Sequence, residues 1–360
     1  MKRQEMEDIL SMPTAKPKIQ FDRSQYLSTG STMLNLALSG KVNCGFIKGK
    51  YFFFVGDSSS GKTWLAATCL AEAAANKNFD DYQLIHDDAE GGANMDLAYY
   101  FGATAAERIK APKYDADGEP VYSQLVEEFY YNLKDVLGNG PCVYVLDSMD
   151  ALTTKYEQDR VQMRKKAHEE GKEASGDYAD GKAKLNSSNL RAVIPLLRDT
   201  GSILVILNQT RDNLGFGFET KTRSGGRALK FYAHAEMWSS VVKKIEKQVK
   251  GKKREMGIRS KIQVKKNRTN GRRRDAEVTI LHSYGIDDIT SNIEYLLGEK
   301  HWTGTSKSLT APEFEYKGSQ SGLVSLIEEN GMERALRKVV QSCWDDIEAA
   351  TAVNRKARYE

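Results

Sequence analysis

The sequence is short of cysteine and histidine and has no long apolar run, and each shortage removes a class of protein. Only four cysteines, Cys44, Cys69, Cys142 and Cys343, occur in 360 residues. They are far apart, form no C-x-x-C pair and have no histidines at ligand spacing, which excludes a zinc site or a disulfide framework. No apolar stretch reaches the roughly 18 residues of a membrane span, and no signal-like segment is present, so the chain reads as soluble and cytoplasmic with no membrane partner. An N-K-x-D sequence for reading guanine is missing, as is the arginine-rich lid of small-molecule kinases. No internal repeat is visible. A net charge of +4 predicts no partner by itself. Its distribution is uneven, however: residues 243–274 hold fifteen Lys or Arg against two Glu. Such a run is either a solvated face or the footprint of phosphate-backbone binding.

What is present begins with VGDSSSGKTW at residues 55–64, a complete G-x-x-x-x-G-K-[ST] pattern. Gly56, Asp57, Ser58, Ser59, Ser60 and Gly61 would turn successive N–H groups toward phosphate oxygens at a helix N-terminus, where a Cβ on the close-approach residues would obstruct. Lys62 would neutralise the β- and γ-phosphates, and Thr63 would offer its hydroxyl to Mg²⁺. The apolar run Tyr51–Val55 before the loop and Trp64–Ala67 after it predict a buried strand feeding a helix.

Residues 1–27 read as an N-terminal arm, because Pro13 and Pro17 stop the charged helix that precedes them. From residue 28 to 286 apolar runs alternate with helical periods, the signature of an α/β core with a mostly parallel sheet flanked by helices. Four strands are predicted, Tyr51–Val55, Tyr82–His86, Cys142–Leu146 and Ile203–Leu207, each ending in polar residues. Ligands bind outside the carboxyl ends of strands in such sheets, so four strands deliver groups to one edge. Residues 155–187 are polar throughout and read as a solvated helix plus loop. Residues 210–227 combine glycines, cations and two phenylalanines, a composition that predicts no regular element. Beyond Lys230 the period is two, with antiparallel strands at Met237–Val242, Lys261–Lys265 and Glu277–Leu281 around a basic turn. Residues 287–360 form a small α-rich C-terminal domain with a short strand at Phe314–Lys317.

Nucleotide hydrolysis needs a carboxylate near Mg²⁺ and a group that activates water. Asp147, closing Val143–Leu146, suits the first task. Glu90 is the candidate base, with Asp87 and Asp88 as rivals that could equally cap a helix. Gln209 at the end of the fourth strand could sense the γ-phosphate or simply satisfy backbone groups.

These motifs together resemble the RecA family of homologous-recombination ATPases over most of the chain. Leu27–Ser31 with Leu34–Leu38, GDSSSGKT, LIHDDAEGG and VYVLDSMDAL are similar to the start of that family's core, its phosphate loop, its acidic segment and its metal-carboxylate strand. The most specific stretch runs from Leu207–Arg211 to Gly225–Ala233, which resembles the sensor glutamine, the second DNA-binding loop and the following helix. Gly285–Ile286 and Phe314–Gly318 are also similar. A first DNA-binding loop would lie at 157–185, where only the position matches. Leu97 stands where the family often places an aromatic on adenine, and the arm is shorter than the bacterial polymerisation helix. Short arm, divergent loop and LALSG look somewhat like phage-encoded recombinases, so the cytoplasm would be bacterial, or that of a phage's host.

The resemblance implies a RecA-like P-loop NTPase core and a DNA-dependent ATPase using ATP and Mg²⁺. It would polymerise on single-stranded DNA as a helical filament, pair it with double-stranded DNA and promote strand exchange, with room for loading or mediator proteins. Gly56–Trp64 with Asp147 would hold the nucleotide and Thr63 with Asp147 the metal, while Glu90, Lys62 and Gln209 would act in hydrolysis. Lys266 and Arg268 in VKKNR would reach a neighbouring subunit's ATP. Arg211, Lys221, Arg223 and Arg227 would neutralise DNA phosphates, Phe216 and Phe218 would stack on bases, and Gly225 and Gly226 would complete the loop. Two rivals share these motifs: a hexameric ring helicase for single-stranded DNA, and an ATP-clamped DNA-binding filament without strand exchange.

Overall fold

The computed structural model describes residues 21–92, 95–170, 181–212, 221–223, 225–353 and 355, excluding the side chains of Ala167, Arg211, Asp212 and residues 221–223. Most of the proposed arm, residues 1–20, lies outside these. The main sheet has ten strands: β1 (Lys50–Gly56), β2 (Gln83–Asp87), β3 (Ile109–Lys110), β4 (Cys142–Leu146), β5 (Ile203–Asp212), β6 (Lys221–Arg223), β7 (Ala235–Val249), β8 (Lys252–Asn267), β9 (Asp275–Leu281) and β10 (Gly285–Ile286). Its order is β10-β9-β8-β7-β1-β5-β4-β2-β3, with β6 paired to β5 alone. Strands β7, β1, β5, β4, β2 and β3 run parallel, and β8, β9 and β10 extend the sheet antiparallel.

The central strands are apolar without interruption because both faces are covered. Phe52, Phe54, Val143, Val145, Val205 and Leu207 join one buried cluster, and Tyr51, Phe53, Val55, Tyr144, Leu204 and Ile206 join another on the opposite face. Fully burying each such side chain contributes about 1.5–3 kcal/mol. The helices that flank and extend the sheet include α1 (Thr32–Ser39), α2 (Lys62–Ala74), α3 (Val126–Gly138), α4 (Lys155–Glu169), α5 (Gly181–Thr200), α6 (Arg227–Tyr232), α7 (Asp288–Gly298), α8 (Gln320–Glu329) and α9 (Glu333–Ala350). Helix α2 packs on the first face through Leu65, Cys69 and Leu70, while α3 and α5 cover the second through Phe129, Leu133, Leu190 and Val193. The first cluster continues into Leu323, Ile327, Leu336 and Val340 of α8 and α9. Asp288 fixes the base of α7 by accepting from Thr32 N and Oγ1, both at 2.7 Å.

Three expectations change. The fourth strand does not end at Leu207: β5 runs through Gln209 to Asp212 and turns back as β6, with Thr210 opposite Arg223 and Asp212 opposite Lys221. Residues on either side of 213–220 therefore form a regular two-stranded ribbon, because two extended segments satisfy each other's backbone groups. Secondly, residues 181–187 belong to a packed helix. Lys182 and Asn186 are buried in α5, and Lys182 Nζ donates to the carbonyls of Met149 and Leu152. Polar side chains with internal partners carry no apolar periodicity. Helix α4, by contrast, has the expected solvated character, opened by reciprocal Thr154 and Glu157 bonds of 3.1 and 2.8 Å. Thirdly, Phe314 ends a 3₁₀ turn begun by Pro312, and the strand is Tyr316–Gly318, with Glu315 at φ 48° between them.

Asn186 joins α3, α5 and the start of α6: it accepts from Tyr130 OH at 2.9 Å and donates to Gly225 O at 3.0 Å, with no exposed surface. Asn186→Ala strands both partners in the interior and is expected to cost about 1–3 kcal/mol, read from urea denaturation midpoints.

Candidate functional site

The loop after β1 is shaped by its own packing before any phosphate contact. A Cβ on Gly56 would lie 1.9 Å from Ser239 Oγ of β7, and one on Gly61 would lie 2.2 Å from Ile280 Cδ1 of β9. The glycines are thus required by the sheet behind them as well as by the ligand side. Ser59 at φ 58° and Gly61 at φ 85° are left-handed, which curls the loop into the concave backbone form that suits an anion. Ser60 Oγ bonds to Asp57 O and Ser239 Oγ, both at 2.7 Å, while Ser260 Oγ donates to Ser60 O at 2.7 Å. Lys62 is 8% exposed, and its ammonium donates to the carbonyls of Gly56 at 3.0 Å and Asp57 at 2.8 Å. Burial pulls its pKa below the usual lysine range, opposed by Asp147, Glu90, Asp57 and Asp150.

The cleft, of about 260 Å³, is bordered by Ser58–Trp64, Glu90, Asp147, Gln209, Ile258, Ile280 and His282. Thr63 Oγ1 donates to Asp147 Oδ2 at 2.6 Å, which brings two oxygen ligands of hard-cation type together. The donor set fits a nucleoside triphosphate with Mg²⁺: an amide cradle, one buried ammonium, and a hydroxyl beside a carboxylate. Asp147–Ser148 is a cis peptide. Glu90 Oε1 accepts from Ser148 Oγ and, at 3.0 Å, from Gln209 Nε2. Its rival Asp87 is saturated elsewhere, taking Ser123 N at 2.9 Å, Ser123 Oγ at 2.6 Å and Tyr144 OH at 2.7 Å in the interior. Asp88 accepts from Gly92 N at 3.2 Å and does not border the cleft.

Trp64 lines the cleft and meets Tyr100 edge to face at 4.8 Å, whereas Leu97 is partly buried against the edge of the core and does not border the cleft. Lys266 and Arg268 do not border this cleft. They cap the C-terminal end of α6 instead, Lys266 Nζ donating to Lys230 O at 2.7 Å and Phe231 O at 2.8 Å, and Arg268 Nη2 to Phe231 O at 3.2 Å. Burial and the neighbouring Arg268 lower the Lys266 pKa to about 8.

Of the remaining residues singled out in the sequence, Arg211, Lys221 and Arg223 stand on the β5–β6 ribbon, Arg227 opens α6, and Phe216 and Phe218 lie outside the described residues. Gly225 and Gly226, both at φ 83°, have packing reasons of their own. Cβ atoms there would meet Leu229 Cδ1 at 2.6 Å and Ala183 Cβ at 2.5 Å. Sequence reading missed Ser148, Ser239, Asp150, which accepts from Gln209 N at 2.6 Å, and His86, whose Nε2 lies 3.9 Å from Asp147 Oδ2. For Ser148, Asp150 and His86 the signal was position alone, close to the carboxyl ends of strands, whereas Ser239 lies within β7 and carried none.

Comparison with known proteins adds a lineage to this geometry. Residues 11–287 match the RecA N-terminal domain family. A Protein RecA of Synechococcus sp. (strain CC9605) is 30% identical over 316 residues, 86% of this chain and 74% of its own length. One from Parasynechococcus marenigrum is 30% identical over 269 residues, 74% of this chain and 63% of its own length. Among solved structures, the crystal structure of the RadB recombinase aligns with 15% identity and a TM-score of 0.49, over 72% of this chain and 98% of that one.

Burial, with the cations around it, gives His234 a pH response. Burial, then Lys50, Arg268 and Lys266, lower its pKa from 6.5 to about 4. The folded state thus disfavours imidazolium, so this contribution to stability is full above about 6.5 and is lost as pH falls through about 4. Urea midpoints are expected to fall more steeply across that window for the unsubstituted chain than for His234→Gln.

Proposed function

The chain belongs to the RecA family, and from that premise we propose that it is an ATP-dependent recombinase that polymerises on single-stranded DNA and promotes homologous pairing and strand exchange. One observation carries this reading. A single strand, β5, bears Gln209 at 3.0 Å from Glu90 and then continues into the basic ribbon of Arg211, Lys221 and Arg223. A change at the γ-phosphate would reach DNA along one continuous backbone.

In this reading the amides of the Gly56–Gly61 loop that are not bonded within the fold, together with Lys62, hold the phosphates of ATP, and Thr63 and Asp147 hold Mg²⁺, which when bound neutralises charge on the phosphate oxygens. Glu90 accepts a proton from the attacking water. Among the described residues both partners of its carboxylate address Oε1, which leaves Oε2 for that water. Lys62 is the one lysine or arginine bordering the cleft among the described residues, so the phosphates need further cations. Lys266 and Arg268 of an adjacent subunit would supply them at the interface, leaving the α6 carbonyls to do so. Arg211, Lys221, Arg223 and Arg227 would bind DNA phosphates with little base preference, so that pairing between strands supplies specificity. Residues 28–286 form the ATPase core in this scheme, 1–27 the assembly arm and 287–360 the C-terminal domain.

Electron microscopy with single-stranded DNA and a non-hydrolysable ATP analogue is expected to reveal helical filaments, and closed rings would overturn the proposal in favour of a helicase. Lys62→Ala is expected to abolish both filaments and ATP turnover. Glu90→Gln should slow DNA-stimulated hydrolysis by about 10²–10⁴-fold while filaments still form, measured as phosphate release. Unchanged turnover would remove Glu90 from the role of base.

A further inference from the structure

Successive side chains of a strand point to opposite faces, so Gln209 and Thr210 address different partners. Gln209 Nε2 meets Glu90, whereas Thr210 Oγ1 donates to Asp57 Oδ1 at 2.5 Å. The pairing of β1 with β5 sets Gly56 beside Gln209, which brings the residues that follow them, Asp57 just beyond β1 and Thr210 in β5, together. Asp57 is fixed on its other sides by β7 and by the loop itself. Its N–H donates to Ser239 O at 3.3 Å, and its carbonyl accepts from Ser60 N at 3.2 Å, Ser60 Oγ at 2.7 Å and Lys62 Nζ at 2.8 Å. A carboxylate therefore stands within a loop whose amides suit anions, and its carbonyl is held by the phosphate-binding lysine. Polyphosphate in that cradle would repel the Asp57 carboxylate and draw Lys62 off the Asp57 carbonyl. Both effects bear on the bond to Thr210, and Thr210 is the residue of β5 paired with Arg223 of the ribbon.

Resting on the recombinase reading above, we infer that Asp57 and Thr210 form a second link from bound nucleotide to the DNA-binding ribbon, parallel to Gln209–Glu90 but on the phosphate side. Asp57 is then a positioning residue that acts through Thr210. The link reports that phosphate has entered the loop, while Gln209 reports the state of the water-activating carboxylate. Two separate contacts on consecutive residues let the ribbon distinguish an occupied loop from a hydrolysis-ready one.

The test is the coupling ratio, the affinity for fluorescent oligothymidine with a non-hydrolysable ATP analogue divided by the affinity without it. This ratio cancels a general loss of DNA binding. Thr210→Val keeps the side chain's shape, removes the donor and is expected to lower the ratio by about three- to tenfold, the size of one hydrogen bond. Thr210→Ser retains the donor and is expected to restore the ratio to within about twofold. Asp57→Ala should lower it comparably, and the double variant Asp57→Ala/Thr210→Val no further, as for one shared contact. An unchanged ratio in Thr210→Val, or losses that multiply in the double variant, overturns the link while leaving the recombinase reading intact. A ratio of one in the unsubstituted chain overturns the recombinase reading itself, and the link with it.

Discussion

Strand β5 is hydrogen-bonded alongside β1 with Gln209 opposite Gly56, and the rest of the site depends on that register. It sets the tip of β5 against the phosphate loop, so that one strand end can touch Glu90 and Asp57 at once. A slip of one residue would send each side chain to the opposite face, with Gln209 pointing away from Glu90 and apolar residues exchanged between the two buried clusters. Core packing and site geometry are therefore one constraint. The alternation of Leu204, Val205, Ile206 and Leu207 between the two faces fixes where Gln209 and Thr210 can reach.

Charge is arranged around this register with the same economy. Lys62 lies among Asp147, Glu90, Asp57 and Asp150, and its ammonium bonds only to backbone carbonyls among the described partners. Carboxylates nearby oppose the pull of burial on its pKa, and neutral acceptors hold it without the strong bond that a direct ion pair would make. A similar logic governs Lys266 and Arg268, whose partners on α6 are carbonyls. Cations held this way can exchange one set of acceptors for another at modest cost.

The α/β core and its phosphate loop were legible because their signals are local. Uninterrupted apolar runs define β1, β4 and the first half of β5, and the loop pattern lies within eight residues. The apolar run of β4 marked the position of Asp147, and Glu90 was marked only as following the strand between the phosphate loop and β4. Where β5 ends was not, because its last residues, from Asn208 to Asp212, are polar and owe their extended form to β1 on one side and β6 on the other. Buried Lys182 and Asn186 hid the start of α5 for a related reason: their partners, three carbonyls and the Tyr130 hydroxyl, are contributed by distant segments. Asp87 and Glu90 are separated by three positions and could not be told apart by type. Only Ser123 and Tyr144, brought beside Asp87 by folding, reveal that its oxygens are already engaged.

The contact between Gly56 and Ser239 reaches beyond the loop that it shapes. Ser239 Oγ sits where a Cβ on Gly56 would fall and also bonds to Ser60 Oγ, so three small residues from β1, the loop and β7 divide one fixed volume. Bulk added at one of them has to be withdrawn at another. Across related sequences, bulk at positions 60 and 239 would trade against each other beside a fixed glycine at 56, and an engineer recasting the loop for a larger anion would have to begin on β7.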